Sequence, residues 1–102
     1  MPSYRCRLQI GDLLPGHRPE EVMDVAEAAL SATHQVAAKD IEVVSRVPRI
    51  VLRITVPAST PHDEDAEARQ AAATMAEAVA KVAVTGRLDV LRRDGGRWIP
   101  VG

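Results

Sequence analysis

The chain contains no phenylalanine, and its only aromatic side chains are Tyr4 and Trp98. Flavin, haem and single-stranded nucleic-acid sites stack their ligands on aromatic platforms, so this poverty argues against all three. A surplus of one charge is also missing. The formal net charge is -1, and no block of like charge forms a tail. Such a chain has no overall field to steer it to nucleic acid or anionic lipid. With a single cysteine, Cys6, it cannot form an intramolecular disulfide, which fits a reducing compartment. No apolar run nears the roughly 20 residues that span a bilayer. The opening Met1-Pro2-Ser3-Tyr4-Arg5-Cys6-Arg7 has neither an apolar signal core nor a cleavage site. The expectation is a cytoplasmic protein with no membrane segment.

What is present suits one domain over residues 1–102. A chain of this size buries about two-thirds of its unfolded surface, enough for one core without staples. Arginine greatly outnumbers lysine and alanine is abundant, as in proteins of GC-rich bacterial genomes.

Tyr4, Cys6, Leu8 and Ile10 alternate with Arg5, Arg7 and Gln9, a half-buried strand that Gly11 to Gly16 should end. Pro19, Glu20 and Glu21 suit a helix start. Val22, Ala26, Ala29 and Thr33 then recur at helical spacing, predicting a helix over Pro19–Gln35. Ile41–Val47 reads as a second strand and Ile50–Val56 as a third, with Pro48 turning the chain between them. Thr60-Pro61-His62-Asp63 starts a second helix: Thr60 caps, Pro61 fits the first turn and Asp63 completes a box. That helix is expected to run to Thr85 and to cap at Gly86, with Ala68, Ala72, Met75, Val79, Val82 and Ala83 inward. Leu88, Val90 and Leu91 make a fourth strand. Asp94-Gly95-Gly96 is a hairpin turn, and Arg97–Val101 a short fifth strand that Pro100 confines to an edge.

The order strand–helix–strand–strand–helix–strand predicts an α+β fold, a ferredoxin-like two-layer plait. Its sheet would be four-stranded, antiparallel or mixed, with both helices on one face and a short fifth C-terminal strand. The first and third strands would lie parallel at the centre.

If Cys6, Leu8, Leu52 and Ile54 face the helices, then Arg5, Arg7, Gln9, Val51, Arg53 and Thr55 face away. Three readings of that basic face stand together. It is solvated, with arginine stems lying on the sheet. It joins a second copy, with arginines pairing to Glu42 or Asp89. Or it binds an anionic ligand or RNA. Tyr4 points to the apolar side, so the central strands offer RNA no outward aromatic. Dimerisation through this face or an edge strand is the favoured reading. Trp98 would be an interface anchor or a plug over one end of the core.

The loops after the first and third strands are expected at one end of the sheet, gathering Asp12, His17, Thr60, His62, Asp63 and Asp65. Two histidines with carboxylates suggest a metal set, and two helix N-termini suggest an anion. Ordinary loop and capping residues explain the same pattern and are expected there. Cys6 should be buried and inert, and His34 should sit near the end of the first helix, favourable for its dipole. No Ser-His-Asp spacing occurs, and Gly95-Gly96 opens no helix and so is no phosphate loop.

Asp12-Leu13-Leu14-Pro15-Gly16, after a strand and before a helix, resembles the Asp-x-Pro-Gly turn of ACT regulatory domains. Asp40-Ile41 is similar to the start of their second strand. The sequence has one residue more between Asp12 and Pro15, and His17-Arg18 intervenes before the helix. The resemblance implies a plait that pairs through its sheets and senses small effectors such as amino acids, with Asp12 and Gly16 near the ligand. The leading expectation is a non-enzymatic homo-dimer or higher homo-oligomer, an interaction or binding module without cofactor or metal. Its interface would carry Arg5, Arg7, Arg53 and Trp98.

Overall fold

The computed structural model describes residues 1–101. Its elements in chain order are β1 (Ser3–Leu13), α1 (Pro19–Ser31), β2 (Gln35–Val44), β3 (Val47–Thr55), α2 (Pro61–Val79), β4 (Ala83–Asp94) and β5 (Arg97–Pro100). The strands form one open sheet in the order β2-β3-β1-β4-β5, and every neighbouring pair is antiparallel. The architecture is α+β, with α1 and α2 packed on each other and on the sheet. Neither helix is long and apolar enough to cross a membrane.

The expected parallel alignment of the first and third strands is wrong. Ser3 lies opposite Thr55 and Gln9 opposite Arg49, so β1 and β3 run antiparallel. The physical reason is the hairpin. The crossover through α1 brings β2 back in the direction of β1, and the tight turn into β3 then reverses the chain.

Alternation along β1 and β3 places Tyr4, Cys6, Leu8, Ile50, Leu52 and Ile54 in the core. Over them lie Val22, Ala26 and Leu30 of α1 and Ala68, Ala72, Met75 and Val79 of α2. The alanines bring α2 close to the sheet, so Met75 and Val79 supply much of its bulk.

Several element ends differ from the pattern-based expectation. Helix α1 stops at Ser31, not Gln35, and the Leu30 carbonyl accepts from both Thr33 and His34 N–H groups. Strand β2 therefore starts at Gln35, six residues before the predicted Ile41, because Val36 pairs with Ile54. The β2–β3 turn sits at Ser45-Arg46, both with positive φ (51° and 66°), the conformation of a two-residue hairpin turn. Pro48 does not turn the chain; it lies in β3 opposite Val43.

Helix α2 stops at Val79, not Thr85, and Ala83–Thr85 belong to β4, where Ala83 meets Leu13 and Thr85 meets Ile10. Sheet pairing thus overrides helical periodicity at the end of both helices. Gly86 is no helix cap. It lies in β4 against Gln9, where an added Cβ would stand 2.8 Å from the Gln9 Oε1. At the start of α2, Thr60 Oγ1 accepts from the Asp63 N–H at 3.2 Å as expected. The reciprocal carboxylate is that of Glu64, which accepts from the Ser59 N–H at 2.8 Å.

Candidate functional site

The face of the sheet away from the helices gathers the unusual chemistry. The register lines up Arg53 of β3, Arg5 of β1, Leu91 of β4 and Pro100 of β5. The next row holds Asp40, Val51, Arg7 and Asp89. Val51 and Leu91 are 6% and 7% exposed, yet neither belongs to the helix-side core. Side chains of the open face itself cover them.

Trp98 organises that cover. The two-residue turn at Gly95-Gly96 sets Trp98 opposite Arg93. The guanidinium carbons of Arg5, Arg93 and Arg53 lie 4.3, 5.2 and 5.8 Å from the centroid of its ring. Trp98 is not a plug over the end of the core, since it lies outside the helix-side cluster on the open face. An indole held by three guanidiniums is an aromatic surface that the central strands do not carry themselves.

The arginines of this face fall into two groups. Arg7 donates to Asp89 at 3.1 Å, and Arg49 donates to Glu42 at 3.1 Å. Glu42 and Asp89 are therefore matched within the chain rather than left for a second copy. Asp89 also accepts from Arg87 at 2.7 Å. Burial works to raise its carboxyl, but Arg7 and Arg87 outweigh it and hold the group below its ordinary value. By contrast, Arg5 and Arg53 lie directly opposite each other, and their side chains have no hydrogen-bond or ion-pair partner among the described residues. The Nε of Arg53 is buried and unpartnered. Beside them a groove of about 230 Å³ is lined by Arg5, Val51 and Arg53 and by Ala38, Lys39, Asp40 and Glu42 of β2.

The histidine end does not assemble. Because β3 runs against β1, its last residues lie beside the first of β1: Ser3 faces Thr55, and Val56 N–H donates to Pro2. His62, Asp63, Thr60 and Asp65 sit at that end. Asp12, Gly16 and His17 sit at the other, where Leu14 N–H donates to Val82. The 11-residue strand β1 separates them by about 30 Å. The two helix N-termini likewise lie at opposite ends. His17 Nδ1 lies 2.7 Å from a Glu21 oxygen, and that bond, with Arg18 nearby, lowers the Glu21 carboxyl. Among the described residues no group of three or more His, Cys, Asp or Glu side chains is placed to hold a metal ion. Gly16 has φ 85°, which glycine accommodates. Asp40-Ile41 lies inside β2 rather than at its start.

Pattern reading missed a polar cluster around Arg92 and the pairing of His34 with Glu67. Arg92 donates to Glu64 at 2.9 Å and to Asp65 at 3.1 Å, and Tyr4 Oη joins both Arg92 and Asp65. The buried Tyr4 phenol is pushed up to about 12, by burial first and then by Asp65, which disqualifies it as a base near neutrality. Burial also pushes the Cys6 thiol up to about 12, leaving it protonated and unreactive. His34 lies beyond the end of α1 rather than within it, and its Nε2 is 2.7 Å from Glu67 of α2. The signal for Arg93 was present in the sequence: a two-residue turn after Asp94 makes it the cross-strand partner of Trp98. Nothing in the spacing of Tyr4, Glu64, Asp65 and Arg92 announces their meeting, which needs the three-dimensional register.

Comparison with protein-family models, with curated proteins and with solved structures yields no match.

Proposed function

We propose that this chain is a non-enzymatic, self-associating module that works through its open sheet face. The observation that carries the reading is Trp98 with Arg5, Arg53 and Arg93 over Val51 and Leu91. An aromatic ring and guanidiniums above a small apolar floor have the composition of an interface centre. Charge is also segregated across the face. Asp40 and Glu42 lie on the β2 edge, while Trp98 and Arg93 lie on the β5 side. A two-fold axis between two stacked sheets, running along the strands, sets the β2 edge of one copy over the β5 edge of its partner. The Trp98–arginine cluster of one copy is then set over the β2–β3 side of its partner, and the same contact recurs on the other side of the axis, as two-fold dimers require.

Edge pairing of β2 with a second β2 supports the reading less. Registers that keep both helix layers on one side and centre on Lys39 or Asp40 oppose like charges, which costs stability. In fold terms we read β2-β3-β1-β4 as a ferredoxin-like plait extended by β5, with the bacterial, cytoplasmic setting that composition suggests.

The test is the assembly state at micromolar concentration by light scattering. Arg53→Glu, with Arg7→Glu beside it, should shift the protein toward monomer while its circular dichroism stays native. An assembly state indifferent to both would rule the open face out. A second reading, a sensor of small effectors such as amino acids, draws on a separate apolar groove of about 270 Å³. Gly11, Leu13, Pro19, Val22, Met23 and Ile41 help line it, flanking the Asp12–Gly16 turn. A melting temperature unmoved by any amino acid would count against it.

A further inference from the structure

Two like charges placed directly across an antiparallel pair repel, and such a pair is costly unless something compensates it. Arg5 and Arg53 are such a pair. Trp98 compensates only part of it. A guanidinium stacked on a ring uses its flat face, while its N–H donors point outward in the guanidinium plane. Those donors find no acceptor among the described residues, and the Arg53 Nε is buried without one. The Arg49 Nε is buried and unpartnered as well, although Arg49 is paired with Glu42, so the donors that distinguish the groove are the terminal N–H groups of Arg5 and Arg53. Of the two carboxylates that line the groove, Glu42 accepts from Arg49 and Asp40 Oδ1 accepts from the Ile41 N–H at 2.7 Å; neither is hydrogen-bonded to Arg5 or Arg53.

We infer that the groove over Arg5 and Arg53 is a binding site for a phosphate group. Two guanidiniums match a dianion in charge, and several N–H donors match its several acceptor oxygens. A groove of about 230 Å³ admits inorganic phosphate or the phosphate end of a small phosphomonoester. Val51 and Ala38 supply an apolar wall that lowers the local dielectric and strengthens the pairing. The site rests on the reading of the open face as the working surface and names a ligand for it. Bound phosphate would also cancel the repulsion between Arg5 side chains that two stacked copies bring near their axis.

Trp98 is the only tryptophan and lies 4.3 Å from the Arg5 guanidinium, so its fluorescence reports on the site. The experiment titrates the protein with inorganic phosphate, with glycerol phosphate, and with chloride at matched ionic strength. Melting temperature is followed in parallel, and light scattering gives the assembly state. The expected result is a saturable change with phosphate and none with chloride. Arg53→Gln should weaken binding about tenfold, the worth of a charge-assisted hydrogen-bond set, while folding normally. Arg5→Gln, read by melting temperature because it disturbs Trp98, should do the same. Tighter binding of glycerol phosphate would identify an esterified ligand; equal or weaker binding would identify the free ion. An equal response to chloride, or unchanged affinity in Arg53→Gln, would overturn the site. Saturable phosphate binding by a permanent monomer would keep the site and remove the self-association reading. A dimer indifferent to phosphate would do the reverse.

Discussion

On β1 and β3, successive residues build opposite surfaces. Tyr4, Cys6, Leu8, Ile50, Leu52 and Ile54 lie under two helices and are almost wholly buried. Arg5, Arg7, Gln9, Arg49 and Arg53, one position along in each case, face away from them. The first surface is closed: apolar side chains meet apolar side chains, and Cys6 is held as a thiol. The second is covered only by its own long side chains, with donors left over. The period of two that makes a strand assigns these roles, so a single chain segment carries both stability and recognition. The contrast teaches where substitutions should hurt folding and where they should alter binding alone.

The largest effect is expected on the covered face. Leu52 is fully buried, and Leu52→Ala should cost about 3 kcal/mol, the usual price of a core cavity, in urea unfolding. The core over α2 is rich in alanine, so it has few large side chains to shift into the gap. A loss below about 1 kcal/mol would mean that the covered face is as plastic as the open one.

A middle-sized effect belongs to the margin between the surfaces. Arg92 is the shared partner of Glu64, Asp65 and Tyr4, and Arg92→Met should cost about 2 kcal/mol by leaving buried polar groups unmatched. The pH response supplies a separate signature. The Ser59 N–H and Arg92 lower the Glu64 carboxyl; at Asp65 burial opposes the shift, but Tyr4 and Arg92 prevail. A lowered folded value stabilises the fold above the unfolded values of 4.5 and 3.8 and loses that contribution as pH falls through the folded values. The wild type should therefore lose stability more steeply than Arg92→Met on acidification below about pH 4. At the alkaline end the sign reverses. Cys6 and Tyr4 are raised from 9.0 and 10.0 to about 12, so their contribution is full below pH 9 and is lost as pH climbs toward 12. Melting curves across both ranges check these slopes.

The two surfaces were legible to different degrees. Alternation from Tyr4 to Ile10 and from Ile50 to Val56 assigns each of those residues to its face, because sheet periodicity is local. The Thr60 cap and the Gly95-Gly96 turn are local too. The starts of β2 and β4 were hidden, because the helical pattern carries to Gln35 and to Thr85, Val36 to Asp40 show no clean alternation, and only their pairing partners make these residues strands. The candidate histidine site failed for a topological reason. One hairpin reversal separates His17 from His62, and spacing along the chain does not reveal it. Arg5, Arg53 and Trp98 were each visible as candidates, but their meeting depends on β5 folding back beside β4.

The smallest effect sharpens the contrast most. Arg5→Met keeps a long stem over Val51 and Leu91 while removing one charge. It gives up a cation–π contact worth about 0.5–1 kcal/mol. It also relieves the like-charge pair with Arg53, worth about 0.2–1 kcal/mol in the opposite direction. The two nearly cancel, so stability should stay within about 0.5 kcal/mol of wild type in the same urea assay used for Leu52→Ala. The fluorescence of Trp98 should change all the same, since its nearest guanidinium is gone. A loss as large as that of Leu52→Ala would show that the arginines build the fold rather than the surface it presents. A gain would show that the repulsion between Arg5 and Arg53 outweighs the stacking, a cost that a folded chain keeps only where the pair has something to bind.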